Sequence, residues 1–241
     1  WIFYTVFPGF PGLKPKFERI SRFAPLVGVI LGLIEGAVWL LFTHLGWQKE
    51  TLGLITVALG IWLTGGIHFD GLMDTADGLG AGEDKCKEAM RDSRVGASGV
   101  QALCFILLIQ LAALIKLNYL APIAIPIATF WGRFAPLWAI GKFKYLHKNG
   151  SASFHKLHWK GIEETIPSLF IICISILYLS INLNYYDYYL QLIFCIVIGI
   201  LPAIIIPDLL GRKLGGHSGD SYGATVVFVE TFMLLIIAII L

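Results

Sequence analysis

The sequence predicts an all-α, polytopic integral membrane protein of about seven transmembrane helices, with its active-site loops on the cytoplasmic side. Three observations carry that prediction. The chain of 241 residues is 57% hydrophobic and only 14% charged, with a mean hydropathy of +0.77; soluble domains carry about 25% charged residues. Seven apolar segments are each long enough, or nearly so, to span a bilayer, near 25–42, 52–68, 100–117, 120–140, 166–183, 188–207 and 224–241. The loops between them alternate between basic and nearly uncharged.

In chain order, residues 1–24 are a basic loop with Lys14, Lys16, Arg19 and Arg22. Trp1 stands where a Met would begin a chain, so a few further residues are expected before it, and no basic region precedes an apolar stretch in residues 1–13, so no cleavable signal peptide is expected. Segments one and two flank a short loop, 43–51, in which Lys49 is the one Lys or Arg. The second basic loop, 69–99, holds Lys85, Lys87, Arg91 and Arg94. Segments three and four meet in a tight hairpin at Asn118-Tyr119, and Pro122, Pro126 and Pro136 predict a kinked fourth segment. The third basic loop, 141–165, holds Lys142, Lys144, Lys148, Lys156 and Lys160. Loop 184–187 is uncharged but for Asp187, and loop 208–223 holds Arg212 and Lys213. Fifteen of the 18 basic residues thus lie in alternate loops. The positive-inside rule puts those loops, and the N-terminus, in the cytoplasm. The whole chain reads as one integral membrane domain of the cell's inner membrane, with the bilayer as its surroundings.

Net charge is only +2 and no basic face is patterned for nucleic acid, so no nucleic-acid partner is expected. Cys86, Cys104, Cys173 and Cys195 are far apart in sequence, three of them inside apolar runs. That spacing excludes a CxxC redox or zinc motif and fits small buried hydrophobes.

The richest stretch is Gly65-Gly66-Ile67-His68-Phe69-Asp70-Gly71-Leu72-Met73-Asp74-Thr75-Ala76-Asp77-Gly78. Asp70, Asp74 and Asp77 have i, i+4, i+7 spacing, which puts three carboxylates on one stripe of a helix. Like charges so arranged repel. An all-oxygen donor set favours Mg²⁺ or Mn²⁺ over Zn²⁺ as the compensating cation. His68 is off the stripe but can reach a phosphate, or act as a base, if the helix begins after it. The alternative is a solvated acidic patch.

A second stretch, Met90-Arg91-Asp92-Ser93-Arg94-Val95-Gly96, follows a short helix expected over 83–91. Arg91, Ser93 and Arg94 suit a phosphate, and Asp92 can add a metal ligand; an ordinary positive-inside loop is the alternative. A third runs from Gly211 to Gly223. There Gly215 and Gly216 can bring backbone N–H groups close to an anion beside Arg212 and Lys213, and Asp220 adds a carboxylate. Within the spans lie Glu35, Arg133 and Glu230; such residues are costly in lipid and are functional or paired. Arg133 either pairs with an acid or faces phosphates. His147, His155 and His158 share a loop with Lys144, Lys148 and Lys156, which reads as a surface loop touching substrate or lipid phosphate.

Together the three stretches resemble one family, cobalamin synthase, the adenosylcobinamide-GDP ribazoletransferases. Residues Gly65 to Gly78 look like that family's Gly-Gly-x-His-x-Asp-Gly-x-x-Asp-Thr-x-Asp-Gly block. Met90 to Gly96 look like its Met-Arg/Lys-Asp-Ser-Arg-x-Gly block, and Lys213 to Asp220 are similar to its Gly-Gly-x-Thr-Gly-Asp block, with Ser218 in place of Thr. Pro25-Leu26-Val27-Gly28 matches the opening of its first helix. The stretch from Leu79 to Ala89 is shorter and less basic than in the family.

The resemblance implies a reaction. Adenosylcobinamide-GDP and α-ribazole, or its 5′-phosphate, give adenosylcobalamin, or its 5′-phosphate, and GMP. It implies Mg²⁺ as cofactor, held by Asp70, Asp74, Asp77 and Asp92, with Asp220 in support. Arg91, Ser93, Arg94, Arg133, Gly215, Gly216 and Asp220 would bind substrate, and His68 or a carboxylate would take the proton. The sequence leaves a homo-oligomer open. A CDP-alcohol phosphotransferase is the nearest alternative, but its motif needs Ala-Arg where Leu72-Met73 stand. A transporter would place its acids nearer the bilayer midplane.

Overall fold

A computed structural model describes residues 3–9, 12, 17–146, 150, 152–181 and 189–241. Lys14, Lys16, His147, Lys148 and the 184–187 loop lie outside the described residues. Among the described residues the regular elements are helices: α1 (Ala24–His44), α2 (Lys49–Leu63), α3 (Ile67–Gly80), α4 (Cys86–Ala89), α5 (Ala97–Leu117), α6 (Ala121–Lys142), α7 (Ser153–Leu157), α8 (Ile166–Ile181), α9 (Tyr189–Ile198), α10 (Ile200–Leu214) and α11 (Gly219–Ile240).

Among the described residues five stretches are long and apolar enough to cross a membrane, or six if the bent pair α2–α3 counts as one. The sequence predicts seven. The difference lies in Ala97–Lys142, a single stretch of 46 residues. As one straight helix it would reach about 69 Å, more than twice the hydrocarbon thickness of a bilayer. The chain breaks there at Asn118, with φ at 50° and ψ at −115°. Helices α5 and α6 then both pack along α11.

The second segment departs from expectation. Its apolar run continues to residue 68, but α2 stops at Leu63. Gly65 (φ 62°) and Gly66 (φ 73°) are both left-handed. Their N–H groups bond back to Trp62 O and Ile61 O, each at 2.9 Å, which closes the helix end. Consecutive left-handed residues stop a right-handed helix, and glycine accepts them without a Cβ penalty. Helix α3 leaves at 90° to α2. It packs along α11 and α5, with Leu72 in one apolar cluster with Ile106, Ala224 and Val227. At one end Gly71 rests on the Asp220 backbone, where a Cβ would come within 2.5 Å of the carbonyl oxygen. At the other, Asp77 bonds to the amides of Gly96 and Gly99. Asp70, Asp74 and Asp77 therefore lie past the corner, on a helix that does not continue α2. The short helix expected over 83–91 is confined to the four residues of α4.

Helix α6 is the hub, with Ala124, Ala128, Trp131, Ala135 and Leu137 buried. Its seam with α1 is made by Gly28, Gly32 and Gly36, one per turn. Gly28 faces Thr129, Gly32 faces Pro126 and Gly36 faces Pro122, so the two backbones run antiparallel in close contact. Pro126 has no N–H to offer the Pro122 carbonyl, and Gly36 packs against that carbonyl. Arg133 and Glu230 form an ion pair between α6 and α11, and Arg133 Nε is left without a partner among the described residues. Gln110 donates to Thr231 at 2.9 Å between α5 and α11.

Candidate active site

Helix α3 carries the carboxylate stripe, and its geometry follows the spacing. Asp70, Asp74 and Asp77 line one cavity of about 300 Å³ together with Met90, Arg91, Asp92, Ser93 and Arg94. The first two motifs, separated in sequence, therefore meet in space. Burial, then the charges of Asp70, Asp220 and Asp77, push the Asp74 carboxyl up to about 6. The third motif thus reaches the same cluster through Asp220.

Three members of the cluster have partners that the sequence did not announce. Asp77 accepts from Gly96 N–H and Gly99 N–H, both at 2.7 Å. One carboxylate oxygen serves each amide, so Asp77 caps α5 from outside that helix. Asp92 and Arg94 bond to each other, with Arg94 Nη2 2.6 Å from Asp92 Oδ2. The Arg94 hydrogen bonds hold the Asp92 carboxyl down at about 2. This exposed pair rims the cavity.

A second cavity, of about 340 Å³, shares Asp70 with the first. Its walls include His68, Arg133, His155, Asp220 and Tyr222, with Tyr4, Ile67, Leu137 and Ile140 among the apolar groups. His68 lies inside the first turn of α3 rather than before it. Its Nε2 is buried without a hydrogen-bond partner among the described residues.

The amides of the glycine loop are engaged within the fold. Gly215 ends α10, and its N–H and that of Gly216 both bond back to Gly211 O. The neighbouring His217 N–H goes to Lys144 O at 3.0 Å, and Leu146 N–H returns to His217 O at 2.7 Å. Helix termination engages the Gly215 and Gly216 amides that an anion nest would offer, and pairing with the 144–146 segment engages that of His217. Ser218 instead opens α11 through a reciprocal cap with Ser221, which holds Asp220 in the first turn.

The 141–165 loop is also less of a surface than expected. His155 is 5% exposed, enclosed by Phe3, Tyr4 and Phe154. Lys156 Nζ donates to Ile140 O at 2.6 Å and to Gly141 O at 3.2 Å, closing the C-terminal end of α6.

Comparison with known proteins covers nearly the whole chain. The family model described as cobalamin-5-phosphate synthase matches residues 1–238. The chain belongs to that family. An adenosylcobinamide-GDP ribazoletransferase of Prochlorococcus marinus (strain SARG) is 53% identical, over 100% of this chain and 94% of the relative. One from Prochlorococcus marinus (strain MIT 9303) is 50% identical over the same shares. One from Trichormus variabilis is 34% identical over 99% of this chain and 94% of the relative. No solved structure matches the chain significantly. In this cobalamin-5-phosphate synthase family member, the first two family-like blocks face each other across the acid cavity, and the third supplies Asp220 at its edge.

The donor chemistry of the cavity suits Mg²⁺. Its carboxylates are hard oxygen ligands, and their mutual repulsion, seen at Asp74, is what a cation would relieve. Among the described residues no three acidic, imidazole or thiol groups stand close enough to form a metal shell by themselves. Mg²⁺ usually takes one or two carboxylates and completes its shell with substrate phosphates and water.

Proposed function

We propose that this chain is an adenosylcobinamide-GDP ribazoletransferase of the cytoplasmic membrane, with its site open to the cytoplasm. It transfers the cobinamide phosphate of adenosylcobinamide-GDP to α-ribazole, or to α-ribazole 5′-phosphate, and releases GMP. The observation that carries this reading is the meeting of two unlike cavities at Asp70. One is acidic with arginines at its rim, and the other is largely apolar. A donor with a pyrophosphate and an acceptor with a flat base need such a pair.

In the acid cavity Asp70 and Asp74 would hold Mg²⁺, with Asp77 and Asp92 in support. Bound there, the ion would neutralise the pyrophosphate and stabilise charge on the departing phosphate. Arg91 and Arg94 attract the same phosphates, and Arg94 exchanges its pairing with Asp92 for the substrate. Asp77 keeps the Met90–Val95 loop against α3 through the Gly96 and Gly99 amides. A ribose hydroxyl oxygen of the acceptor bonds to the phosphorus that bears the cobinamide arm. The bond from that phosphorus to the bridging oxygen breaks, GMP leaves with the electron pair, and the hydroxyl proton passes to His68 or to a carboxylate that does not hold the ion, Asp220. Both line the acceptor cavity. Arg133, paired with Glu230, contributes positive charge at its base.

Detergent-purified protein given adenosylcobinamide-GDP, α-ribazole and Mg²⁺ should release GMP and form cobalamin in step, and a chelator should stop both. A well-folded preparation that forms neither would overturn the reading. Release of CMP from a CDP-linked donor would favour the phosphotransferase alternative.

A further inference from the structure

The apolar cavity contains a concentration of unmet hydrogen bonding. Ten buried side-chain polar atoms have no partner among the described residues, and four belong to its walls: His68 Nε2, Arg133 Nε, His155 Nδ1 and Tyr222 OH. Leaving such a group unpaired costs about 1–3 kcal/mol. One orphan can be incidental, but four carried by residues that wall one void leave unmet polar groups beside it, which a guest could reach with small side-chain rotations. The four come from α3, α6, α7 and α11, so the guest would bridge elements that are distant in sequence.

The remaining walls narrow the guest's chemistry. Tyr4 and His155 lie parallel, with ring centroids 6.3 Å apart. Ile67, Leu137 and Ile140 add aliphatic surface. Burial holds His155 down at about 4, so the ring is neutral at physiological pH and offers one donor and one acceptor. At about 340 Å³ the void is at the small end of ligand sites, sufficient for a nucleoside and far too small for a corrinoid ring. Guanine carries polar atoms around most of its rim, which the surface of Tyr4, Ile67, Leu137 and Ile140 would leave unpaired, whereas a base with few polar atoms suits it. Asp70 and Asp220, the carboxylates on this wall, join the acid cluster around Asp74.

We propose that this cavity is the acceptor site. The flat, largely apolar base of the riboside lies among Tyr4, Ile67, Leu137 and His155, Tyr222 and Arg133 hydrogen-bond its polar atoms, and its ribose points to Asp70. This inference rests on the transfer reaction proposed above. It makes Tyr222 and His155 specificity residues, in segments outside the aspartate block.

The test is equilibrium binding of α-ribazole, without donor, to the full-length detergent-purified chain, alongside KM values for both substrates. Tyr222→Phe removes a hydroxyl that has no protein partner, so the fold keeps every hydrogen bond it had. Ala152→Leu fills the void from the wall beside α7, where Ala152 is buried. The expected result is about tenfold weaker α-ribazole binding for Tyr222→Phe, the factor for one hydrogen bond lost, and no measurable binding for Ala152→Leu. The acceptor KM should rise in parallel while the donor KM stays unchanged. Active wild-type enzyme whose acceptor binding and KM are untouched by Tyr222→Phe would overturn the assignment and leave the reaction standing. A rise in donor KM alone, with GMP displaced in place of α-ribazole, would also overturn it. Failure of the reaction itself would show separately, as wild-type protein that forms no cobalamin.

Discussion

Asp77→Asn is the most informative single substitution, because Asp77 is a member of the acid stripe that also holds the backbone together. Its two carboxylate oxygens each accept one amide at 2.7 Å, from Gly96 and Gly99. Asparagine keeps one acceptor and turns an NH₂ toward the other amide. One charge-assisted bond, worth about 1.5–3 kcal/mol, is lost. The site is partly open to water, so the net cost should be about 1–2 kcal/mol. For a chain of this size that lowers the melting midpoint by about 2–8 °C. The loop carrying Arg91 and Asp92 enters α5 through these amides, so kcat should fall while the protein still folds. The assay is thermal unfolding in detergent, run beside GMP release. Asp74→Asn is the control, since it removes a charge from a repelling cluster and should leave the midpoint unchanged or higher. An Asp77→Asn protein that melts with the parent would refute the clamp and leave Asp77 as a ligand only.

Further predictions follow from the same geometry. Asp74 titrates near 6 in the metal-free protein, so below that pH it is neutral and Mg²⁺ binding should weaken as pH falls from 7 to 5, read as a rising half-saturating Mg²⁺ concentration. The sign for stability is opposite. A carboxyl raised above its unfolded value costs the fold stability once ionised, so this group should make the metal-free protein melt lower at pH 7 than at pH 5. Arg133→Met strands Glu230 inside the bundle and should cost about 3–5 kcal/mol, with Glu230→Gln in the same chain restoring part of it by thermal unfolding. Gly32→Leu drives a side chain into Pro126 and Thr129 and should cost about 3 kcal/mol, seen as loss of monodisperse protein after detergent extraction.

The sequence was most legible where periodicity and charge act locally. Hydropathy and the basic loops point directly to a helical membrane protein, and the i, i+4, i+7 stripe lies on one helix as read. Two consecutive glycines at 65 and 66 signal the corner, but apolar composition carries the reading of segment two past it to His68. Partners were the least legible. That Asp77 caps α5, that Arg94 turns back on Asp92, and that Arg133 chooses Glu230 depend on which helices become neighbours. The Gly28, Gly32 and Gly36 spacing was a readable signal for the α1–α6 seam. His155 had no such signal. A basic loop reads as exposed, yet Phe3, Tyr4 and Phe154 enclose this ring.

The central claim is that the α3 carboxylates handle the donor's pyrophosphate with a divalent cation. Its most direct test is a Mg²⁺ titration of parent and Asp74→Asn proteins of matched monodispersity, with GMP and cobalamin measured in the same reactions. The account predicts one GMP per cobalamin in the parent, dependent on Mg²⁺, and a variant slower by about a hundredfold or more. An Asp74→Asn protein that turns over at the parental rate, with the parental Mg²⁺ dependence, would contradict it.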